Sequence, residues 1–265
     1  MKIYISVDME GVSGVSAWED VNSNSKTYER YRRQMNNEAL AAIEGCIEAG
    51  AKEIVVKDAH ATARNLFLEK LPAGVKVING WSGCPKAMVQ GLDDSFHGLI
   101  YVGYHSGAYS GGNPLSHTMN SRKFYEVKVN GERVSEFDLH SIIATNQNVP
   151  VLFLSGDTAI CEHAQNKIPT LKTHATIEGI GNSSVSYSPS ENLVHIKNGA
   201  IAAIGEINSA KLYEMPQSLQ LSINFIDPQD AYRASFYPGA EMVDERTVVL
   251  KSKEILECMA FINFV

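Results

Sequence analysis

Hydrophobic and polar residues alternate at the start of the chain, where Ile3, Ile5 and Val7 are separated by more polar side chains. Alternation rich in β-branched residues is typical of a β-strand. Because side chains two residues apart on a strand point to the same side, Asp8 and Glu10 are expected to share one face. A glycine-bearing loop follows, and the carboxyl end of a strand opening into such a loop is a frequent place for a site in an α/β sheet. A solvated acidic strand end fits these residues as well.

The next segments follow the order strand, helix, strand. Residues 27–49 carry apolar side chains at helical spacing, and Gly50 is suited to end that helix. Residues 53–57 then predict a second strand, which leads to Asp58 and His60. This order predicts a parallel pair of strands joined by a right-handed crossover.

Further apolar or alternating segments extend the same pattern. Strands are predicted at 75–78, 97–103, 150–154, 171–177, 219–226 and 247–250. Helices are predicted at 139–147, 158–166, 191–207, 231–236 and 253–264. Residues 124–129 and 132–134 alternate around Asn130-Gly131, which predicts a β-hairpin whose second arm leads to Glu136. The expected fold class is α/β, with a mostly parallel sheet flanked by helices. We expect a metal-binding catalytic domain at 1–167 and a smaller C-terminal α/β portion, 168–265, packed on it.

Composition narrows the function classes. The chain has 265 residues, of which 44% are hydrophobic and 20% charged, as in ordinary globular proteins. Its net charge of −7 argues against nucleic-acid binding, and it has no apolar run of transmembrane length. The N-terminus lacks the pattern of a secretory signal, so a cytoplasmic location is expected. The four cysteines form no Cys-x-x-Cys pair and are expected to be buried thiols: Cys46, Cys84, Cys161 and Cys258.

Acidic and histidine side chains follow several of the predicted strands. They are Asp8, Glu10, Asp58, His60, His105, His117 and Glu136. The carboxyl ends of parallel strands open on one edge of a sheet, so Asp8, His60 and His105 are expected to converge there. His117 and Glu136 would fold back over that edge from the following loop and hairpin.

This mixture of imidazole and carboxylate ligands suits zinc. Five protein ligands are too many for one tetrahedral zinc that keeps a water, but they suit two metals about 4 Å apart, an arrangement typical of hydrolases. Each residue taken alone is also a common loop residue. The other histidines are expected at the surface or the core edge, and Met88, Met119 and the aromatic residues are expected to be packing residues. These histidines are His97, His140, His163, His174 and His195.

Several ordered motifs point to one family. The segment Ser6-Val7-Asp8-Met9-Glu10-Gly11 resembles the Ser-x-Asp-x-Glu-Gly signature of the D-aminopeptidase family, the dipeptide-transport-operon type of zinc peptidase. Similar motifs follow in order: Asp58-Ala59-His60, Gly91-Leu92-Asp93-Asp94, Gly103-Tyr104-His105, Ser116-His117-Thr118-Met119, Val134-Ser135-Glu136 and Val149-Pro150-Val151-Leu152. The resemblance covers about residues 1–160 and continues more weakly to the end of the chain.

The resemblance implies a binuclear zinc peptidase. Its zinc ligands would be Asp8, Glu10, His60, His105 and Glu136, with His117 as the catalytic histidine and Asp58 in a supporting role. It implies hydrolysis of short peptides with an N-terminal D-amino acid, such as D-Ala peptides, by a metal-activated water. It also implies a ring-like homo-oligomer, a decamer in that family.

Two loops depart from the family pattern. They are residues 13–25 and 106–113. These loops are expected to shape the substrate pocket, so the resemblance does not determine which substrate the protein takes. A dizinc amidase or esterase acting on another small substrate is one alternative. A non-catalytic protein that binds a metal or small molecule is the other.

Overall fold

The computed structural model describes all 265 residues. Its strands are β1 (Lys2–Val7), β2 (Glu53–Asp58), β3 (Val75–Ile78), β4 (Gly98–Tyr104), β5 (Phe124–Val129), β6 (Glu132–Arg133), β7 (Val151–Asp157), β8 (Lys172–Ile180), β9 (Ser183–Ser186), β10 (Leu219–Phe225), β11 (Ala240–Met242) and β12 (Thr247–Ser252). Its α-helices are α1 (Trp18–Val21), α2 (Tyr28–Glu48), α3 (Glu136–Asn146), α4 (Thr158–Lys167), α5 (Pro189–Gly205), α6 (Pro228–Ala234) and α7 (Ile255–Phe264). Short 3₁₀ turns lie at Leu68–Lys70, Ala87–Val89 and Ile207–Ser209.

A seven-stranded main sheet has the order β3-β2-β1-β4-β7-β8-β9. All neighbours in it are parallel except β8 and β9. In the register of the central strands, Val7 on β1 pairs with Asp58 on β2 and with Val102 on β4. The carboxyl ends of these three strands are therefore level, which places the residues that follow them at one edge of the sheet.

A smaller antiparallel sheet has the order β11-β12-β10-β5-β6. The predicted hairpin β5–β6 belongs to this sheet, whereas β8 and β9 complete the main sheet. The expected boundary near residue 167 therefore does not coincide with a division between the sheets. As a boundary between folding domains it stays a prediction.

Hydrophobic residues form a core on each face of the main sheet. On one face, Ile5, Ile54 and Ile100 pack with helices α2 and α5. These two helices approach closely because Gly45 has no side chain: a Cβ there would lie 2.5 Å from the carbonyl oxygen of Lys197. On the other face, side chains of the main sheet pack with α3, α7 and the smaller sheet in one continuous cluster.

The mixed α/β fold with a mostly parallel sheet is confirmed. Three local expectations are wrong. Strand β1 ends at Val7, so Asp8 and Glu10 lie in the following turn. Glu136 begins helix α3 and is not part of the hairpin. Cys84 is partly exposed and not buried. Strands β9 and β11 and the four-residue helix α1 were not predicted. No helix combines the length and apolar character needed to cross a membrane.

Candidate metal centre

Six of the side chains singled out in the sequence meet at the carboxyl edge of the main sheet. They form two clusters, in each of which the potential ligand atoms lie within 4.8 Å of one another: Asp8, Glu10 and His60; and His105, His117 and Glu136. All are buried except His117, which is partly exposed. The expected convergence is thus observed, whereas the role of each residue stays a prediction.

Asp8 connects the two clusters. Its Oδ1 lies 3.3 Å from Nδ1 of His60, and its Oδ2 lies 3.4 Å from Nε2 of His105. Both Asp8 Oδ2 and His105 Nε2 are buried and have no hydrogen-bond partner. Buried polar atoms without partners are rare because desolvation costs them about 1–3 kcal/mol each. A cation bound between the carboxylate and the imidazole would satisfy both atoms, so these residues fit a metal.

His60 is oriented from both sides of its ring. Its Nε2 lies 2.8 Å from the carbonyl oxygen of Val21, to which it can donate its proton. Its Nδ1 lies 3.0 Å from Oε2 of Glu10 and also faces Asp8. A backbone acceptor on one ring nitrogen leaves the other free as a metal ligand. Helix α1, which ends at Val21, therefore supports the site.

His105 and His117 are held in the same way. The Nδ1 of His105 lies 2.9 Å from the carbonyl oxygen of Ser106, and the Nδ1 of His117 lies 2.9 Å from that of Leu115. Their Nε2 atoms lie 3.4 and 3.6 Å from the carboxylate of Glu136. The two rings stack with centroids 4.3 Å apart. His117 therefore faces the centre in an orientation that suits either a ligand or a proton-transfer group.

Glu136 is positioned by the start of helix α3. Ser135 caps the helix, and Asp138 accepts hydrogen bonds from the backbone and hydroxyl of Ser135, both at 2.7 Å. The backbone N–H of Met119 donates to Oε1 of Glu136 at 2.7 Å. The positive end of the helix dipole also stabilises a carboxylate in this first turn. The Ser-x-x-Asp spacing is the sequence signal that could have located this helix.

The charges of the metal-free site are coupled. Burial alone would raise the pKa of Asp8 and of Glu136, but the neighbouring histidines hold both at about 2. Burial alone would lower the pKa of His60 and of His105, but the carboxylates around them raise both well above the ordinary value. Without metal, the surrounding carboxylates thus favour the protonated forms of His60 and His105. Metal ions bound there would displace these protons.

Asp58 acts on the loop that carries His60. It accepts hydrogen bonds from the backbone N–H groups of Asn65 and Leu66 and from the Asn65 side chain, at 2.5–2.9 Å. The loop it closes contains Ala61, whose φ is 45°. Asp58 thus has structural partners for both oxygens, which is consistent with a supporting role.

The Ser-x-Asp-x-Glu-Gly motif has structural reasons beyond its carboxylates. The hydroxyl of Ser6 lies 2.8 Å from both the Met88 carbonyl and the Tyr104 hydroxyl. Gly11 donates its N–H to the Gly103 carbonyl at 2.9 Å, and a Cβ on Gly11 would lie only 1.8 Å from the Tyr104 carbonyl oxygen. The loops after β1 and β4 can therefore approach closely enough to bring Asp8 to His105.

A cavity of about 800 Å³ lies over the centre. Besides the site residues, its wall contains Trp18, Trp81, Met119 and Arg122. Trp18 and Trp81 are 44% and 43% exposed, so the expectation that the aromatic residues serve only for packing is wrong for both. Nothing in their local sequence distinguishes them from buried tryptophans, because their exposure depends on how the loops fold.

One remaining histidine also supports the centre. His140 is fully buried, where the surface or the core edge was expected. Its Nδ1 lies 2.7 Å from the carbonyl oxygen of Glu136, and its Nε2 lies 3.3 Å from the backbone nitrogen of Met88. The imidazole therefore joins the first turn of α3 to the Ala87–Val89 turn, and burial lowers its pKa.

The protein is thus an α/β protein with a candidate metal centre. Three histidines and three carboxylates meet at the carboxyl edge of its parallel strands, beneath an open cavity. The chain belongs to the D-aminopeptidase family, whose family model matches residues 1–264. A D-aminopeptidase of Bacillus subtilis (strain 168) is 35% identical in an alignment over 261 residues that covers 97% of this chain and 93% of that protein. The solved structure of the Zn-dependent D-aminopeptidase DppA from Bacillus subtilis, described as a self-compartmentalizing protease, superposes with a TM-score of 0.92. It is 32% identical, and the match covers 100% of this chain and 95% of that one.

Proposed function

We propose that this protein is a zinc-dependent aminopeptidase that hydrolyses short peptides with an N-terminal D-amino acid, D-Ala peptides among them. The observation that carries the proposal is the pair of unpartnered buried atoms, Asp8 Oδ2 and His105 Nε2, between two clusters of ligand-type side chains. The family and its zinc-dependent relative support the same reaction and metal.

Two zinc ions per chain are proposed. Asp8 would be shared between them, since each of its oxygens faces a different histidine. Glu10 and His60 would complete one site, and His105 and Glu136 the other. When bound, such a pair acidifies a water molecule and polarises the scissile carbonyl group.

His117 is proposed as the catalytic histidine. The Leu115 carbonyl holds its Nδ1 proton, so that Nε2 is the atom directed at the centre. A proton taken up on Nε2, such as the one that the attacking water releases, can be delivered from there to the leaving amine or can stabilise negative charge on the carbonyl oxygen.

We further propose that residues 1–167 form the catalytic portion, which supplies all six side chains of the candidate metal centre. We also propose that the protein is cytoplasmic and forms a ring-like homo-oligomer of ten chains. The self-compartmentalizing relative supports an assembly of several copies. Large apolar side chains that stay exposed on the single chain also support it: Ile180, Val185, Val194, Tyr232, Phe236 and Phe264.

Peptide release assays test the proposed reaction. D-Ala-Gly and L-Ala-Gly are offered to the purified protein as isolated, after chelation, and after zinc is added back. We expect hydrolysis of the D-first peptide, loss on chelation and recovery with zinc. Esters and simple amides are offered in the same assay, and turnover of these compounds alone would favour the amidase or esterase. Bound zinc with no turnover of any of these compounds would favour a non-catalytic binding protein.

A further inference from the structure

The chain has two tryptophans, and both line the cavity over the metal centre. They come from separate segments, helix α1 and the loop after β3. Both side chains keep 43–44% of their surface open to solvent. A large aromatic surface left in contact with water is unfavourable unless a ligand or partner covers it.

Both side chains are held in place. The indole N–H of Trp81 donates to the Ala61 carbonyl at 2.7 Å, and Nζ of Lys57 lies 4.1 Å from the centre of its ring. Trp18 packs edge-on to the ring of His117, with centroids 5.4 Å apart. Its helix is braced by Asp20, whose carboxylate accepts from the N–H groups of Ser16 and Ala17 at 3.1 Å. These are therefore fixed surfaces that lose little entropy when a ligand covers them.

Both tryptophans are also tied to segments next to His60. Trp81 is bonded to Ala61, and Trp18 begins the helix whose last residue, Val21, accepts from His60. Arg122 is the only lysine or arginine that lines the cavity, and it lies three residues beyond Met119, which holds Glu136. Because an aminopeptidase cleaves the bond that follows the first residue, the side chain of that residue would lie beside the metal centre, where Trp18 packs on His117 and Trp81 is bonded to the residue after His60.

We propose that Trp18 and Trp81 form a subsite for a large apolar or aromatic side chain on the first residue of the peptide. This inference rests on the proposed peptidase function and specifies its substrate class.

Two peptides that differ only in the first side chain test the subsite: D-Phe-Gly and D-Ala-Gly. We expect the wild-type protein to favour D-Phe-Gly in kcat/KM. Trp18→Ala and Trp81→Ala should each lower that preference about tenfold, the usual scale for losing one aromatic contact. Trp18→Phe and Trp81→Phe should keep most of it. Tyr125→Ala, which removes an exposed aromatic residue outside the cavity, is the control and should leave the ratio unchanged.

Tryptophan emission gives a second readout that does not need turnover. Because both tryptophans line the cavity, free D-phenylalanine should alter the emission of the zinc-loaded protein at lower concentration than D-alanine. Each single-tryptophan variant, Trp18→Phe or Trp81→Phe, should respond as well. An emission response without peptide hydrolysis would refute the proposed reaction but support the subsite.

Three results would overturn the subsite. One is active enzyme whose D-Phe to D-Ala ratio is unchanged in both alanine variants. Another is emission that D-phenylalanine does not alter. The third is an equal loss of activity on both peptides together with a smaller assembly, which would assign the tryptophans to contacts between copies.

Discussion

Asp8 lies between the two ligand clusters, and each of its carboxylate oxygens faces a different histidine. The histidines in turn are oriented by backbone carbonyls: Val21 for His60 and Ser106 for His105. These acceptors leave one nitrogen of each ring directed at the centre. Such outer contacts set the tautomer and the direction of each ligand, and their loss typically costs 10–100-fold in metal affinity or activity.

His117 allows structure and chemistry to be separated at the level of one residue. His117→Ala should keep zinc near the wild-type stoichiometry while kcat falls about 10²–10⁴-fold, the usual contribution of a positioned acid or base. KM should change less, because the interaction belongs mainly to the transition state. Zinc content and kcat measured on one preparation decide the role. Loss of zinc in step with activity would make His117 a ligand, and an active variant with full zinc would leave it no catalytic role.

At the scale of elements, the site depends on how closely the loops after β1 and β4 approach. Gly11→Ala would place its Cβ 1.8 Å from the Tyr104 carbonyl oxygen. Because that oxygen belongs to the main chain, the backbone of one of the two loops must move to relieve the clash. We expect this variant to be less stable and to lose metal and activity together. Gly205→Ala, where no neighbouring atom lies within 4 Å, is the matched control and should behave like the wild type. Thermal unfolding and zinc content measure both effects, and a fully active Gly11→Ala would contradict the account.

Helix α2 also holds the loop after β1, through a buried glutamate. Glu38 accepts from the N–H of Ser13 at 3.0 Å and from its hydroxyl at 2.5 Å, while Glu38 Oε2 has no partner. Burial raises the pKa of Glu38 above its ordinary value of 4.5. The folded protein therefore retains a proton that the unfolded chain releases, so stability from this group falls as pH rises from that value through the raised pKa.

Glu38→Gln should remove that loss of stability. Relative to wild type, the free energy of unfolding of this variant should rise between acidic and neutral pH, by about 1–3 kcal/mol if the whole cost of the buried charge is relieved. Denaturant unfolding at several pH values measures the difference. Glu44→Gln on the exposed side of the same helix is the control and should show a smaller change. A parallel pH dependence in the wild type and Glu38→Gln would rule out Glu38 as the source.

The elements that sequence could predict are those with strong local patterns. Helix α2 and strands β1 and β2 follow from apolar periodicity, and level parallel strands explain why Asp8, His60 and His105 converge. The hairpin pattern misplaces Glu136, because the cap signal formed by Ser135 and Asp138 directly follows the second arm of the hairpin. Helix α1 and strand β11 have four and three residues, too short for any period to appear.

At the scale of the whole molecule, features made by distant segments could not be predicted. Strand β5 pairs with β10, about ninety residues later, so the second sheet is not visible in either segment alone. The same is true of the cavity, whose wall includes Trp18, Trp81 and Asn263. The tryptophans line one cavity only because these separate segments of the chain meet there, and composition carries no information on that.

Assembly is the property of the whole molecule that is most directly open to measurement. Light scattering on the protein as it elutes from a sizing column should give a mass near ten times the chain mass of 29.0 kDa. Val185→Asp, which places a charge on an exposed apolar position of β9, should reduce that mass if this patch lies between copies. A single chain with full peptidase activity would contradict the proposed ring.

Zinc content per chain, measured beside D-peptide hydrolysis, tests the proposed centre, because that centre requires two ions that share Asp8. The wild-type protein should contain about two zinc ions per chain, as two-metal hydrolases do. Asp8→Ala should retain less than half of that zinc and essentially no activity, whereas Asp94→Ala, at an exposed position, should match the wild type. An active wild-type protein with no zinc, or an Asp8→Ala variant that keeps both ions, would contradict the account.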